Sequence, residues 1–345
     1  MLNLHWRAKG SWNVVGRSFA HALAKRTEVA FIDLPEGGPF SSMEVSPEAV
    51  TLNFGDWRLS PSLPGRRVVS YIPWETSRIP WPIRRQMARL DHIWVPSEWQ
   101  RDLFVRNGLP EGKLSVVPLG FDPVMFHPGP GTRPMDAPFR FLFVGKWEER
   151  KALPELLEAF CAEFRAEEAV ELVLHAHNPF IDGFDQEARL GKELKKLKAG
   201  NRRIICRGDL PLSQLAQAYR DADAFVLPTR AEGWGLPLLE AMASGLPGIA
   251  TNYSALTTFA HEGNAWLVNP SGFVRVRDSY FFNGFLNWGR WAKPDVLQLR
   301  SRMRYAVEHR EEAAALGERA AREVAAKWTW DAAAAVALER LRELD

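Results

Sequence analysis

Short apolar runs of strand length alternate with longer segments of helical period along most of this chain. The apolar runs cover residues 29–32, 68–72, 92–95, 114–117, 139–144, 170–175, 203–206, 224–227 and 248–251, and the helical patterns cover residues 17–25, 83–90, 99–107, 152–164, 184–198 and 212–220. Such an alternation is typical of parallel sheets covered by helices on both faces. It predicts an α/β protein built from doubly wound domains.

The length of 345 residues predicts two domains, since a domain commonly has roughly 150 residues. The segment 121–138 is rich in proline and glycine and has no sustained period, which is the composition of a semi-rigid linker. In doubly wound sheets ligands bind beyond the carboxyl ends of the strands. We therefore expect a binding cleft between two such domains.

The charge balance excludes a strongly charged molecule, because 44 basic and 42 acidic residues leave a net charge of +2, while the arginine-rich run from Arg84 to Arg106 leaves a local basic patch open. No global field points to nucleic acid or to a membrane. Cys161 and Cys206 predict two buried free thiols in a reducing cytoplasm and not a disulfide scaffold. Arg7 and Lys9 interrupt the N-terminus before a signal peptide could form. We expect a soluble cytoplasmic protein, with peripheral membrane contact left open.

The segment RAEGWGLPLLEAM, residues 230–242, places Glu232 and Glu240 eight positions apart around a glycine-containing loop. It follows an apolar run, and Pro237 fits the start of a helix, where its missing N–H costs nothing. A helix N-terminus favours an anion, and Gly233 and Gly235 let a ligand approach the backbone closely. We place Glu240 in the first turn of this helix and Glu232 in the loop before it. Taken alone, Glu232 also fits a solvated loop acid and Glu240 a first-turn acid favoured by the helix dipole, but these reasons do not account for the combined motif.

A second cluster, Lys146, Arg150 and Lys151, follows the run 139–144. Three cations at the carboxyl end of a strand can neutralise a diphosphate, and lysine serves as a point-charge partner for phosphate. The alternative is an ordinary surface loop in which Glu148 and Glu149 neutralise these cations. The residues alone leave both interpretations open.

Other patterns carry less information. Gly10 and Ser11 lie in a loop between a first strand and a helix, but they match neither a Walker loop nor a dinucleotide fingerprint. The acids at 221–223 resemble a metal-binding Asp-x-Asp, yet their position between a helix and a strand favours a capping role. His175 and His177 have no third ligand nearby, which disfavours zinc.

The segment 271–295 holds two tryptophans, four phenylalanines and a tyrosine among arginines and glycines. It predicts either a packed irregular excursion on the C-terminal domain or an aromatic wall near the cleft that stacks on a sugar or nucleobase. The sequence does not decide between these two interpretations.

The segments 91–128, 144–160 and 221–252 resemble the retaining GT-B glycosyltransferase family 4, the glycosyl transferases group 1. The most specific shared element is the Glu-x7-Glu motif formed by Glu232 and Glu240. The resemblance implies two Rossmann-like domains facing a central cleft, with acceptor binding by residues 1–128 and donor binding by residues 129–326. It also implies that a final helix, within 327–345, crosses back onto the N-terminal domain.

The resemblance assigns Lys146 and Lys151 to the diphosphate, Glu232 to the sugar hydroxyls and Glu240 to the ribose hydroxyls. The candidate catalytic residues are Glu232, Lys146 and Lys151; the candidate donor-binding residues are Glu240, Gly233, Trp234, Gly235, Leu236, Arg150, Gly10 and Ser11; and the acceptor side is represented by Trp74 and Glu75. Three positions depart from the family pattern. Lys146 replaces the commoner arginine, Ala152 replaces a glycine, and residues 175–178 replace a Gly-x-Gly sequence. Trp74 or Glu75 stands where relatives carry a histidine.

The expected function is retaining transfer of a hexose-type sugar from a UDP- or GDP-sugar to an acceptor hydroxyl. The acceptor would be a glycan, a lipid-linked molecule or a small molecule, and nucleic acid is not expected. Acids beside phosphates would be repelled, so they belong near uncharged diols, while lysines and a helix N-terminus stabilise the leaving diphosphate without a metal or cofactor. Two alternatives stay open: a glycoside hydrolase or phosphorylase using both acids, and a catalytically silent GT-B protein that only binds nucleotide or glycan.

Overall fold

The computed structural model describes residues 1–6, 11–32, 45–129, 134, 136–199, 203–208, 210–278, 282 and 285–344. These residues form two compact units, of which the first combines Met1–Asp122 with Trp328–Asp345 and the second comprises Pro123–Lys327. The chain thus leaves the first unit once and returns to it for its last segment.

The first unit contains a parallel six-stranded sheet in the order β2-β1-β3-β4-β5-β6. Its strands are β1 (Leu2–Trp6), β2 (Val29–Phe31), β3 (Val50–Phe54), β4 (Arg67–Tyr71), β5 (His92–Val95) and β6 (Leu114–Val116), and the helices between them are α1 (Ser11–Ala24), α2 (Trp81–Met87) and α3 (Glu98–Arg106). The strands are buried almost throughout, as expected for a parallel sheet covered on both faces.

The second unit has its own parallel six-stranded sheet, in the order β12-β11-β10-β7-β8-β9, and a separate two-stranded antiparallel sheet. Its strands are β7 (Phe139–Lys146), β8 (Val170–His177), β9 (Ile204–Arg207), β10 (Ala224–Leu227), β11 (Gly248–Thr251), β12 (Ala265–Val268), β13 (Pro270–Arg275) and β14 (Arg290–Pro294). Its helices are α4 (Leu153–Glu163), α5 (Gln186–Leu197), α6 (Leu212–Arg220), α7 (Leu236–Ala243), α8 (Val296–Glu308) and α9 (Arg310–Lys327).

The order of the second sheet identifies its binding edge. The chain builds outward from β7 to β8 and β9, and then continues on the other side of β7 with β10, β11 and β12. β7 and β10 are therefore hydrogen-bonded neighbours at the point where the winding direction reverses. Open α/β sheets bind ligands at this topological switch point, beyond the carboxyl ends of the strands.

The last helix, α10 (Trp330–Arg342), packs in the first unit. The Trp330 ring lies 5.4 Å from that of Phe19 in α1, measured between centroids, and the Phe121 N–H donates to the Trp328 carbonyl at 2.9 Å. A side chain at Gly120 would collide with the backbone of Thr329, so only glycine allows the chain segments to approach this closely. The C-terminal helix thus returns to the first unit, as the resemblance implies.

The nine apolar runs all form strands, with bounds that shift by at most a few residues. β3 was not predicted, because its sequence VTLNF alternates apolar with polar residues although every position is buried. Its polar side chains are satisfied inside the unit: Asn53 donates from Nδ2 to Ser60 Oγ at 2.8 Å. The strands β12 to β14 were also not predicted.

Two further observations concern thiols and membranes. Cys161 and Cys206 form no disulfide in the described part of the chain, but both are partly exposed, so the prediction of two buried thiols is wrong. Among the described residues, no helix combines the length and apolarity that a membrane crossing requires.

Candidate functional site

The two motifs singled out by sequence meet at the switch point of the second sheet. β7 ends at Lys146, the segment after it carries Arg150 and Lys151, and the loop after β10 carries Glu232. One backbone and one side-chain hydrogen bond join these segments: Arg230 N–H donates to the Arg150 carbonyl at 2.7 Å, and Thr229 Oγ1 donates to the same carbonyl at 3.0 Å. The strand order therefore brings together two segments that are about eighty residues apart in sequence.

Glu232 is held by two cations in the interior of the unit. Lys151 Nζ lies 2.7 Å from Glu232 Oε1, and Arg150 Nη1 lies 2.9 Å from Oε2. The relative exposures of the three residues are only 4% for Glu232, 5% for Lys151 and 6% for Arg150. Buried charges are stable only when they are paired and hydrogen-bonded. Each of these three side chains therefore needs its partners and is held in one position by them.

Glu148, whose side chain is only 5% exposed, links this cluster to Lys146. Its Oε1 accepts from Arg150 Nη2 at 2.6 Å, and its Oε2 lies 3.4 Å from Lys146 Nζ, which is one-third exposed. Glu149, in contrast, approaches Arg230 at 3.9 Å. Glu148 thus neutralises part of the cluster, but the five groups Lys146, Glu148, Arg150, Lys151 and Glu232 still carry one net positive charge. That charge favours an anionic ligand beside Lys146.

The neighbouring cations determine the charge state of Glu232. Burial alone would raise its pKa, but the charges and hydrogen bonds of Lys151 and Arg150 lower the pKa of Glu232 to about 2. Burial lowers the pKa of Lys151, against the attraction of Glu232. Glu232 is therefore a fixed negative charge across the neutral range, suited to accept hydrogen bonds and poorly suited to donate a proton.

The loop that carries Glu232 is stabilised by Ser254, which no sequence motif singles out. Glu232 N–H donates to Ser254 Oγ at 2.8 Å, and Ser254 adopts a left-handed backbone conformation with φ of 62°. Non-glycine residues seldom adopt that conformation. A single serine after a strand gives no signal for such a role in the sequence.

Gly235 ends the loop and precedes α7. Its φ is 103°, and an added Cβ would collide with the Leu256 side chain. Both constraints favour glycine at this position.

Replacing Gly235 by alanine is expected to lower the free energy of unfolding by about 1–3 kcal/mol, because the alanine must adopt a positive φ and displace Leu256. Chemical denaturation followed by tryptophan fluorescence measures this change. Gly191→Ala is the matched control: it lies within α5 with open space around it, so its stability is expected to stay the same or rise slightly. Equal stability of both variants would contradict the structural role of Gly235.

Glu240 lies in a different environment. α7 begins at Leu236, so Pro237 is its second residue and Glu240 its fifth; the prediction that Glu240 occupies the first turn is wrong. Glu240 is only 8% exposed, and its carboxylate accepts from the Tyr219 hydroxyl at 3.0 Å. Burial raises the pKa of Glu240 to about 8, although the hydrogen bond from Tyr219 acts in the opposite direction. The two acids of the motif thus differ sharply in proton affinity.

The other predicted site residues fall in three groups. Gly233 and Trp234 are buried beside Glu232, and the Trp234 ring packs 5.2 Å from that of Phe259, while Leu236 is partly exposed at the start of α7. Trp74 lies in the core of the first unit against Phe104, and Glu75 is partly exposed beside it. Gly10 lies outside the described residues; Ser11 is the first residue of α1.

The aromatic segment 271–295 contains an ordered hairpin. β13 and β14 pair antiparallel, and Trp291 is fully buried in a cluster with Ala231 and Val276. Ala292 N–H donates to the Arg230 carbonyl at 3.0 Å. The hairpin packs through Trp291, as the first interpretation expects, but it is a regular element and not an irregular excursion, and Phe273 is 52% exposed. It contacts the backbone directly before Glu232. Stacking on a ligand stays a prediction.

Most of the acids and histidines with metal-like spacing have structural partners, although the buried Nδ1 of His175 forms no hydrogen bond among the described residues. Asp223 Oδ2 accepts from Arg140 N–H at 2.7 Å, Asp221 follows the last residue of α6, and His177 Nδ1 lies 3.3 Å from Gln186 Oε1. Within the described ranges, histidine, cysteine and acidic side chains form no group of three or more that could hold a metal ion. Metal independence itself stays a prediction.

The segment that carries this site is similar to known proteins. Residues 138–275, which include both motifs, match the family model described as "Glycosyl transferases group 1". The D-inositol 3-phosphate glycosyltransferase of Acidothermus cellulolyticus is 27% identical over 209 residues, covering 55% of this chain and 46% of that protein. The chain thus aligns with about half the length of this curated relative.

Solved structures resemble the whole chain. HepE (Alr3699) of Anabaena, solved in complex with UDP-glucose, superposes with a TM-score of 0.76 at 14% identity and 99% coverage of both chains. Sucrose-phosphate synthase of Thermosynechococcus elongatus gives a TM-score of 0.73 at 18% identity, covering 99% of this chain and 98% of the other. At such identities the likeness shows the fold, which is GT-B.

Proposed function

We propose that this chain is a glycosyltransferase that moves a hexose-type sugar from a UDP- or GDP-sugar to an acceptor hydroxyl with retention of configuration. The observation that carries the proposal is the pairing of Glu232 with Lys151 at the switch point of the second unit. It unites the two most informative motifs within the segment that matches the glycosyl transferases group 1.

In this proposal the donor diphosphate binds beside Lys146 and Lys151. Lys146 is one-third exposed and lies 3.4 Å from Glu148, with which an incoming anion would compete, whereas Lys151 is buried and bonded to Glu232. A diphosphate would compete with Glu232 for Lys151, and Arg150 would then keep Glu232 in place and ionised. The backbone N–H groups at the start of α7 would add to the positive potential.

The acids would bind the two uncharged ends of the donor. Glu232 accepts hydrogen bonds from hydroxyls of the sugar, since a carboxylate can accept from a vicinal diol and such charge-assisted bonds are strong. Glu240 accepts from the ribose hydroxyls. The candidate residues of the first unit, Trp74 and Glu75, remain proposals for the acceptor side.

The chemical step would transfer the sugar on one face. The acceptor oxygen forms a bond to the anomeric carbon as the bond from that carbon to the diphosphate oxygen breaks. The departing phosphate oxygen takes the acceptor proton, so the products are the glycoside and the nucleoside diphosphate. Lys146 and Lys151 stabilise the charge that develops on the diphosphate, which is usually the largest catalytic contribution of a preorganised site. No metal is required in this scheme.

The experiment is a transfer assay with UDP-, GDP- and ADP-sugars and glycan, lipid-linked and small-molecule acceptors, with and without EDTA. Release of nucleoside diphosphate that depends on the acceptor, unchanged by EDTA, supports the proposal. The anomeric configuration of the product, determined by NMR, tests retention.

Lys151→Met is expected to lower kcat/KM for sugar transfer by about 10²–10³-fold, because it removes a cation from the leaving group. Lys192→Met, a change of the same kind on the exposed side of α5, serves as control. Unchanged transfer by Lys151→Met, together with a correctly folded protein, would exclude the assignment of Lys151 to the diphosphate.

A hydrolase is the second candidate, and the separated pKa values of Glu232 and Glu240 favour it, since acid and base pairs show such a separation. However, a carboxylate with a pKa of about 2 is a weak base. Sugar release without any nucleotide would identify a hydrolase. Binding of a nucleotide sugar without turnover across all acceptors would identify a silent binding protein.

A further inference from the structure

The hydroxyl of Tyr219 lies in the interior of the second unit and bonds to an acid of the motif. It donates to Glu240 Oε2 at 3.0 Å, and Tyr219 has no measurable exposure. The ring is fixed by its neighbours: its centroid lies 5.8 Å from that of Phe126 and 5.8 Å from that of Phe225. A fixed ring gives the hydroxyl a fixed position, and the hydroxyl in turn fixes the orientation of the Glu240 carboxylate.

The elements that pack against α7 contribute mainly apolar residues. α9 packs against α7 and buries small and apolar residues, namely Ala313, Leu316, Gly317, Ala320, Ala321 and Val324. Strands β10 and β11, which also flank α7, contribute apolar residues and Thr251. Across the described ranges, Glu240 forms no ion pair, and its Oε1 accepts no hydrogen bond. Tyr219 is thus the titratable group that faces this carboxylate.

The hydroxyl is not needed to fill space. A phenylalanine would keep both ring contacts and would avoid burying a polar group. The hydrogen bond to Glu240 therefore gives the hydroxyl its role.

We propose that Tyr219 is a positioning residue of the nucleotide site: it holds Oε2 of Glu240 and directs Oε1 to the ribose diol. This inference rests on the proposed function, because it requires that the ligand be a ribonucleotide. Tyr219 does not touch the ligand; it acts through the carboxylate.

The hydrogen bond also decides when the carboxylate is ionised. Burial raises the pKa of Glu240, and donation from Tyr219 opposes this rise. An ionised carboxylate binds a diol more strongly than a neutral carboxyl group does. Ribose recognition is thus expected to strengthen with rising pH, and loss of the hydroxyl is expected to move this transition to higher pH.

The test is calorimetric binding of UDP, GDP and ADP, each compared with its 2′,3′-dideoxy analogue, between pH 6 and about pH 9.5, a range that brackets the pKa of Glu240 near 8. The analogue carries the same diphosphate, so the ratio of the two affinities isolates the diol. In the wild type this ratio is expected to rise with pH. In Tyr219→Phe it is expected to fall by roughly threefold to tenfold at pH 8 and to rise only at higher pH.

Tyr305→Phe is the matched control, because the Tyr305 hydroxyl also donates to a carboxylate, that of Glu312 at 2.7 Å, on an exposed surface. It is expected to leave the ratio unchanged. Glu240→Gln is the second variant: it should abolish the pH dependence of the ratio, and Tyr219→Phe should change the ratio no further in that background.

The outcomes separate the two hypotheses. If no nucleoside diphosphate binds the wild type at any pH, the proposed function is wrong and this inference is wrong with it. If nucleotides bind but Tyr219→Phe leaves the ratio and its pH dependence unchanged, the inference alone is wrong. Equal weakening of both ligand forms would also contradict it, because a residue that only maintains packing would act in that way.

Discussion

Arg150→Met is expected to lower the free energy of unfolding by about 3–5 kcal/mol, since removal of one partner leaves buried charge incompletely compensated. Arg150 donates to Glu232 and to Glu148, at 2.9 Å and 2.6 Å, and its side chain is only 7% exposed. Methionine has a similar length and keeps much of the apolar contact, so the loss reports mainly on the charge. Urea denaturation followed by circular dichroism measures it.

The same variant should show an altered dependence of stability on pH. Because the pKa of Glu232 is lowered to about 2 in the folded protein, from an ordinary value of 4.5, its ion pairs contribute stability above the unfolded pKa. That contribution is lost as the pH falls from about 4.5 toward 2. Without Arg150 the folded pKa of Glu232 is higher, so the acid-dependent loss is smaller and ends at a higher pH.

Arg322→Met is the control for this prediction. Its side chain is 69% exposed and its guanidinium lies 3.9 Å from Glu318, so the change should cost less than about 1 kcal/mol. A similar stability of the two variants would show that the buried cluster around Glu232 contributes no more than a surface pair.

Glu232→Gln is expected to lower kcat/KM for transfer by about 10²–10³-fold while the binding of free nucleoside diphosphate stays within a few-fold of the wild type. The reason is that Glu232 would contact the sugar and not the nucleotide. Loss of its negative charge also frees Lys151, which favours an incoming diphosphate. Transfer kinetics and calorimetry with UDP or GDP measure the two quantities separately.

Glu149→Gln is the matched control, because Glu149 lies in the same cluster of loops but its side chain is 52% exposed. It should change neither quantity by more than about twofold. If Glu232→Gln weakened nucleotide binding as strongly as it weakened transfer, the assignment of Glu232 to the sugar would be contradicted. A thermal melt of each variant distinguishes loss of function from loss of fold.

Much of the fold could be predicted from hydrophobic patterning. The runs at 139–144, 170–175 and 224–227 form β7, β8 and β10, because buried parallel strands are continuous apolar segments. β3 was not predicted because Thr51 and Asn53 are polar, although both are buried in the structure. Their partners are distant in sequence or lie in a neighbouring loop, so the pattern within the strand contains no sign of their burial.

The candidate site likewise contains residues that the sequence identifies and residues that only the structure identifies. Glu232, Glu240, Lys146 and Lys151 are recognisable from their spacing and from the strands and helix beside them. Tyr219 and Ser254 are not, because each is a common residue in an unremarkable segment and gains its role only from a contact across the unit. The ion-pair partners of Arg150 could not be determined from the sequence either. Proximity in sequence suggested Glu148 and Glu149, whereas in the structure Arg150 pairs with Glu148 and Glu232.

The sequence by itself therefore determined the fold class and which residues carry charge at the ends of β7 and β10. The period of apolar residues and the residue types are local properties, and they act over a few positions. The tertiary structure decided the charge states: Glu232 is ionised because two cations lie against it, whereas burial beside Tyr219 raises the pKa of Glu240 to about 8. Burial and the distance between charges set a pKa, and neither exists until the strands have been ordered in the sheet.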